Sequence, residues 1–158
     1  MTLADQIQAS LTDAMRNQDA LRRDTLRMVT AAAYNAEKAA RRPLTDDEYL
    51  GVLTREVKTR RESVDAYERG GREDLAERER AEIAIISEFL PQPLTDAELQ
   101  AMVMAAVDET GATSARDLGR VMSVLSPRTR SRADGKVVSG LVAQELARRD
   151  LVAHEHGG

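Results

Sequence analysis

The chain has 158 residues, of which 42% are hydrophobic, 32% charged and only 3% aromatic, and its formal net charge is −4. This length suits one large or two small domains, which bury about 70% of the unfolded surface. The absence of cysteine excludes disulfides, thiolate metal sites and a cysteine nucleophile. The N-terminus lacks the basic and apolar regions of a signal peptide, and no apolar run approaches the about 20 residues that cross a bilayer. We therefore expect a cytoplasmic protein with no membrane partner.

The charge is distributed unevenly along the chain. Residues 1–64 carry 11 basic against 10 acidic residues, residues 65–110 carry 4 against 12, and residues 111–158 carry 8 against 5. A net-anionic chain is repelled by a polyanion at long range, which argues against indiscriminate binding of nucleic acid. The excess of positive charge in the last segment still allows a local cationic surface that contacts RNA.

Apolar residues at helical spacing predict the first two helices. Thr2 can cap the first helix, and Asp19 can cap the second, at about residues 20–41, because their side chains can accept a first-turn amide. The apolar positions of the first helix are Leu3, Ile7, Leu11 and Met15. Those of the second helix are Leu21, Thr25, Met28, Ala32 and Ala36, with Val29 and Ala33 beside them. We expect both helices to face a common core.

Two further helices complete the predicted N-terminal part. Thr45 and Glu48 form a capping box that opens a long helix at about residues 46–69, and Gly70-Gly71 ends it. A fourth helix is predicted at about residues 72–89. Its many carboxylates are interleaved with arginines, a pattern that favours a solvated helix face over a paired acid–base site.

Pro91 and Pro93 mark the clearest boundary, because two prolines within three residues stiffen the chain and exclude helix. The predicted fold class is all-α, with a four-helix N-terminal subdomain of residues 1–93, a three-helix C-terminal subdomain of residues 94–150 and a flexible tail of residues 151–158. The C-terminal helices are predicted at about residues 96–110, 115–125 and 135–149, with an irregular segment at residues 126–133 and a cap at Asp134.

No catalytic constellation can be assembled from the sequence. The two histidines, His154 and His156, lie in the predicted tail at a spacing that suits a helical metal pair poorly. No glycine-rich phosphate loop follows a strand, because no strand is predicted. We therefore predict no catalytic residue, no metal site and no cofactor.

Two basic features are candidate contacts for RNA. The first is a face of the second helix on which five residues fall within about 60° of one another: Arg23, Arg27, Tyr34, Lys38 and Arg41. Such a face could hold a phosphate backbone and stack a base. The favoured alternative is that these long side chains simply cover the outside of an amphipathic helix.

The second feature is a run of four cations, Arg128, Arg130, Arg132 and Lys136, that leads into a helix N-terminus. Free amides and the positive end of the helix dipole favour phosphate at such a place. The cap at Asp134 would compete for the same amides. Anion contact and simple structural capping therefore stand as equal alternatives for this segment.

Five motifs in order resemble the YqeY family over about residues 3–149. They are Arg55–Ser63, Gly71–Ala76, Glu88–Pro91, Leu118–Met122 and Arg132–Val138. Two positions depart from the family pattern, which commonly has Met in place of Leu118 and Gly in place of Ser131. The first departure preserves volume, and the second puts the local backbone conformation in question.

The resemblance implies an all-helical protein whose C-terminal subdomain is similar to the tail of the GatB subunit of glutamine-dependent tRNA amidotransferase. In that enzyme the tail belongs to tRNA recognition, so the label of a carbon–nitrogen ligase with glutamine as amido-N-donor passes to this family by similarity. The implied RNA-contacting positions are Gly119, Arg132, Gly135 and Lys136, with Asp134 as the helix cap. Arg120, next to Gly119, is also predicted as an RNA contact. Nothing in the chain matches a glutaminase nucleophile or an ATP site.

We therefore expect a tRNA-binding or RNA-binding accessory module, with tRNA or another structured RNA as partner. The alternative is an adaptor that binds a translation-related protein and has no nucleic-acid role. It is motivated by the absence of a catalytic set and by Met102, Met104 and Met122, although methionines at helical spacing are more often core residues. A complete amidotransferase is the least favoured hypothesis.

Overall fold

The computed structural model describes residues 1–157, and all of the regular structure in them is helical. This confirms the predicted all-α class. The helices are α1 (Leu3–Arg16), α2 (Ala20–Ala40), α3 (Asp46–Arg69), α4 (Glu73–Ser87), α5 (Asp96–Thr110), α6 (Leu118–Thr129) and α7 (Gly135–His156), with a short 3-10 turn at Ala115–Asp117 before α6. The chain divides into two compact units, of which the first is Met1–Pro91 and the second begins at Gln92.

Helices α1–α4 build the core of the first unit. Capping boxes open two of them, because Thr2 and Thr45 each accept the amide of the third helical residue, Asp5 or Glu48, whose carboxylate accepts the cap amide in return. The buried apolar residues are Leu3, Ile7, Leu11, Leu26, Val29, Ala33, Tyr49, Val52, Leu53, Val57, Ile85 and Ile86. The three residues between α3 and α4 include Gly71 at a φ of +70°, a conformation that costs glycine little.

The buried faces of α1 and α2 differ from the predicted stripes. Met15 is 52% exposed, and Ala14 is buried in its place. An apolar repeat of four residues turns by about 40° at each step, so Met15 lies about 120° around the helix from Leu3, whereas Ala14 lies only about 20° away. In α2 the buried residues are Thr25, Leu26, Val29 and Ala33. Met28 is 43% exposed, and Leu26 and Val29 occupy the core positions of this turn.

The interpretation of α4 as carrying only solvated carboxylates is wrong for Glu82, which is buried. The helix runs over Glu73–Ser87, slightly shorter than predicted, and its inward face holds Ala76, Glu82, Ile85 and Ile86. Glu82 lies between these core positions at helical spacing, so its carboxylate must have a partner inside the protein.

Helices α5–α7 enclose the core of the second unit. A third capping box, Thr95 with Glu98, opens α5, and Gly111 ends it at a φ of +66°. The buried apolar residues are Leu99, Val103, Ala106, Val107, Ala112, Val121, Leu125, Val138, Val142 and Leu146. Met102 and Met122 pack against this core, while Met104 is exposed.

The segment predicted as irregular at residues 126–133 is helical up to Thr129, with Pro127 inside α6. Proline removes one helical hydrogen bond and costs roughly 3 kcal/mol in a helix interior. Continuing the helix nevertheless buries Thr129 below Leu125, and the Thr129 hydroxyl donates to the Leu125 carbonyl at 3.3 Å. The packing of this turn therefore outweighs the proline.

The last helix is longer than predicted. Helix α7 continues from residue 149 to His156, so residues 151–156 are helical. That they form a flexible tail stays a prediction. Nothing in this stretch breaks a helix, and the His154 Nε2 lies 3.3 Å from a carboxylate oxygen of Asp150, one turn away. The final residue of the predicted tail, Gly158, lies outside the described residues.

Candidate nucleic-acid interface

The connection from α6 to α7 is a tight turn held by backbone hydrogen bonds. The amides of Arg132 and Ala133 both donate to the Thr129 carbonyl, at 3.0 and 3.1 Å. Ser131 has a φ of +67°, in the left-handed region that favours glycine. The family's usual glycine at this position therefore has a conformational reason, and Ser131 adopts the same backbone with a side chain attached.

The first turn of α7 is only partly capped. Asp134 Oδ1 accepts the Lys136 amide at 2.8 Å, and the Asp134 carbonyl accepts the Val138 amide at 3.0 Å, which agrees with the predicted cap. The amides of Gly135 and Val137 have no hydrogen-bond acceptor among the residues that the structure describes. Two exposed donors thus stand at the positive end of the helix dipole.

The guanidinium of Arg132 has a hydrogen-bond partner within the second unit. Its Nε donates to the Gln92 carbonyl at 3.0 Å, and the Leu94 amide donates to the Arg132 carbonyl at 2.9 Å. These two bonds join the α6–α7 turn to the start of the second unit. Arg132 therefore positions the turn through its Nε, and its predicted role as a phosphate contact stays a prediction.

Two other predicted cations are already paired with carboxylates. Arg128 lies in α6 and makes two hydrogen bonds to Glu109, at 2.8 and 3.0 Å. These bonds raise the pKa of Arg128 and lower the pKa of Glu109. Arg120 Nη2 lies 3.1 Å from Asp117 Oδ1. Both guanidiniums are thus partly neutralised before any anion arrives.

Arg130 and Lys136 remain available. Both are exposed, and neither has a carboxylate partner within the part of the chain that the structure describes. We call these two side chains, with the amides of Gly135 and Val137, the α7 corner. A Cβ added at Gly119 or Gly135 would meet no atom within 4 Å, so neither glycine is required for internal packing. Their implied role in close approach to RNA stays a prediction.

The second predicted basic face is smaller than its five residues suggest. Arg23 pairs with its neighbour Asp24, the two joined by a 2.9 Å hydrogen bond. Arg41 follows the end of α2 in a left-handed conformation, outside the helical wheel. Arg27, Tyr34 and Lys38 are exposed, and Lys38 Nζ lies 5.6 Å from the centre of the Tyr34 ring.

Comparison with known proteins assigns the chain to a family. The model of the family described as "Yqey-like protein" matches residues 4–146, nearly the whole chain. The chain belongs to the YqeY family. This confirms the resemblance that the five motifs indicate.

Three fungal relatives of this YqeY chain are similar over part of their length. "Altered inheritance of mitochondria protein 41, mitochondrial" of Pyrenophora tritici-repentis is 30% identical over 127 residues, which cover 77% of this chain and 70% of the relative. An uncharacterized protein of Schizosaccharomyces pombe is 29% identical, covering 54% of this chain and 70% of the relative. A protein of Candida glabrata with the same name as the Pyrenophora protein is 30% identical, covering 58% of this chain and 52% of the relative. Since two of these names are mitochondrial, the cytoplasmic location of this chain stays a prediction.

The YqeY motif at residues 55–63 contains a buried ion pair that the sequence reasoning missed. Arg60 is buried, and its Nε donates to Glu82 at 2.9 Å, while Nη1 donates to the Glu56 carboxylate at 2.8 Å. Burial alone would lower the pKa of Arg60, but the bonds to Glu56 and Glu82 raise it above its usual value. The signal was present, because Arg60 lies at helical spacing between the core residues Val57 and Val64.

A second buried carboxylate links α5 and α7. Glu145 accepts hydrogen bonds from Arg148 at 2.7 Å and from Arg149 at 2.9 Å, and Arg149 also donates to Asp108 at 2.6 Å. The bond from Arg148 is the main cause that lowers the pKa of Glu145 to about 2, against the opposing effect of burial. This network stabilises the second unit and lies about two turns of α7 beyond the α7 corner.

The described residues contain no cluster of three metal-ligating side chains. No helix in this part of the chain is long and apolar enough to cross a membrane. An open surface depression is lined by Asp65, Glu68 and Arg69, and nothing buried points into it.

Proposed function

We propose that this YqeY protein is an RNA-binding accessory module whose α7 corner contacts the phosphates of tRNA or another structured RNA. The observation that supports this proposal is the coincidence of two unpaired amides, at Gly135 and Val137, with two unpaired cations, Arg130 and Lys136. Phosphate oxygens accept hydrogen bonds from amides at a helix N-terminus and are attracted by the helix dipole.

The expected affinity is modest. Of the cations predicted as RNA contacts in the second unit, two are without a partner among the described residues, because Arg120, Arg128 and Arg132 have partners inside the unit. The carboxylate of Asp134 at the same helix end also opposes an anion. Such a contact positions a protein on a folded RNA and carries no base specificity of its own.

Transfer RNA is the partner to test first, because the motif resemblance implies a relation to the tRNA-recognising tail of glutamine-dependent tRNA amidotransferase. Within this proposal the carbon–nitrogen ligase label describes relationship only, and the chain assists an enzyme that holds the amide-transfer chemistry.

The test measures binding of unmodified tRNA to the full chain across a range of salt concentration. The variant R130Q/K136Q is expected to reduce the slope of log affinity against log salt by about 2, since each phosphate contact contributes about 0.9. The matched control is R120Q/R128Q, which removes the same charge from cations that already have carboxylate partners, and a smaller change is expected. Equal loss in both variants, or wild-type binding without a salt slope, would reject the corner.

A protein-binding adaptor is the second candidate function. The observation that favours it is the exposure of Leu151 (66%) and Val152 (43%) near the end of α7, where a helix groove or hydrophobic partner could cover them. Translation proteins that stay bound after nuclease treatment, and that are lost from an L151Q/V152Q variant, would favour the adaptor. Loss of every partner on nuclease treatment would count against it.

A further inference from the structure

Tyr34 is unusual among the aromatic residues of this chain, because it stands in solvent. The other three are buried or half-buried, whereas Tyr34 is 61% exposed. Tyrosine is enriched at interfaces, because its ring is apolar and its hydroxyl can face water. The residue one turn before it, Ala31, is small, and Lys38, one turn after it, places its Nζ 5.6 Å from the centre of the ring.

Positive charge is concentrated on the helix that carries this ring. From Asp19 to Arg42 the chain has six basic and three acidic residues, while the rest of the first unit has nine basic and fifteen acidic residues. The acidic residues in this stretch are occupied: Asp19 caps α2, Asp24 pairs with Arg23, and Glu37 accepts the Leu44 amide at 3.4 Å. The stretch that carries the ring thus has a formal charge of +3 within a negatively charged unit.

The two cations nearest to Tyr34 on the exposed side of α2 have no carboxylate partner among the described residues. At the two ends of α2, Arg22 pairs with Glu88 and Arg42 pairs with Glu48. Arg27 and Lys38 have no carboxylate within ion-pair distance among residues 1–157, and the one contact of Lys38 is with the Tyr34 ring. The helical rise places Arg27 about 10 Å and Lys38 about 6 Å from Tyr34 along the axis.

We propose that Arg27, Tyr34 and Lys38, which we call the α2 face, bind a single-stranded segment of RNA. One base stacks on the Tyr34 ring, and the flanking phosphates are neutralised by Arg27 and Lys38. Base–aromatic stacking between cations is the usual device for binding unpaired nucleotides, because every base has a π-face and the phosphates follow at both sides. This site is independent of the α7 corner.

The chemistry of the face favours nucleic acid over a protein partner. A protein interface is usually centred on a cluster of large apolar or aromatic side chains. The α2 face offers one ring among small and cationic residues, and the nearest large apolar side chain that is exposed on α2 is Met28. A single planar platform with two cations matches a stacked base and its phosphates.

The test uses the full chain and a fluorescein-labelled single-stranded RNA of about 12 nucleotides, followed by fluorescence anisotropy. The variant Y34A is expected to bind about 5- to 150-fold more weakly, which is the range for removal of one stacking platform, and Y34F is expected to bind as the wild type does. The variant R27Q/K38Q is expected to reduce the salt slope by about 1.4, since each phosphate contact to a single strand contributes about 0.7.

The matched control is R55Q/K58Q. It removes two exposed cations of α3 that also lack carboxylate partners in the described chain, so it changes the net charge equally. It is expected to leave the salt slope and the affinity nearly unchanged. Far-UV circular dichroism verifies that each variant keeps its helical content.

Three outcomes would overturn the proposal: a wild type that does not bind the oligonucleotide, a Y34A variant that binds equally well, or a control that loses as much as R27Q/K38Q. A protein partner would then be the remaining occupant of the face. Crosslinking of a 4-thiouridine oligonucleotide to the α2 peptide, with retention in R130Q/K136Q, would support the α2 face and separate its outcome from that of the α7 corner.

Discussion

The buried pair between Arg60 and Glu82 allows a sharp prediction about stability. Both side chains are more than nine-tenths buried, and they join α3 to α4 at 2.9 Å. Arg60 also contacts Glu56 and places Nη2 at 3.7 Å from the sulfur of Met28 in α2. The guanidinium therefore connects three helices of the first unit.

Removal of one partner leaves an uncompensated charge in the core. Breaking a buried ion pair typically costs 3–5 kcal/mol, roughly the range of a large single-site defect. We expect Glu82→Leu to cost about 3 kcal/mol, at the lower end, because Arg60 keeps its bond to Glu56. The variant Arg60→Met is expected to cost about as much, since the nearest remaining cation to Glu82 is Arg78, at 3.6 Å on the surface.

The double variant Arg60→Met/Glu82→Leu removes both charges and restores apolar contact. We expect it to lie within about 1 kcal/mol of the wild type, because an apolar pair of similar volume often replaces a buried ion pair without loss. The coupling free energy from the double-mutant cycle is then about 3 kcal/mol or more, and its sign is the informative quantity.

Hydrogen exchange under increasing urea, resolved by peptide, is the suitable assay because the chain has two compact units. Peptides from α3 and α4 report the change, and peptides from α5–α7 serve as an internal control. The matched variant is Arg80→Met/Glu73→Leu, which removes an exposed pair together with the contact of Arg80 to Glu68, and it is expected to cost much less than Glu82→Leu. A double variant no more stable than Glu82→Leu, or an equal cost for the exposed pair, would refute the reasoning.

Two further predictions concern the second unit. Ser131→Gly is expected to raise the free energy of unfolding by about 0.5 kcal/mol. The free energy gained by relieving the left-handed backbone at φ +67° exceeds the cost of the added freedom of the unfolded chain. An unchanged or lower urea midpoint would contradict this. Glu145, with its pKa lowered to about 2, stabilises the folded state above pH 5. This contribution, on the order of 2 kcal/mol, is lost as the pH falls towards 2, so an acid titration of unfolding is expected to be shallower for Glu145→Gln.

The sequence by itself determined the helical class and most helix starts. Thr2, Thr45 and Thr95 each begin a helix as predicted, and the bounds of α3 and α5 are those expected from their caps and glycines. These signals are local, because a capping box joins residues only three positions apart and needs no tertiary contact. The family assignment likewise rests on motifs that are read directly from the chain.

From the sequence, the candidate RNA contacts could be predicted only as a set larger than the one that the structure leaves unpaired. All four cations of residues 128–136 are equivalent in the sequence, but the structure pairs Arg128 with Glu109, nineteen positions away, and Arg132 with the Gln92 carbonyl, forty positions away. Only packing of α5 against α6, and of the turn against the start of the unit, brings these partners together. The same packing brings no carboxylate of the described residues to Arg130 or Lys136, so these two side chains stay free.

Tertiary structure also decided which residues leave water. Helical spacing predicted that Met15 and Met28 lie in the core. Both are exposed, and neighbouring side chains occupy the core positions. Arg60 and Glu82 are charged residues of the kind expected at a solvated surface. They become buried only because each is the other's partner across α3 and α4. Local chemistry thus sets where each helix begins, while burial and pairing depend on residues that are distant in sequence and meet only when the helices pack.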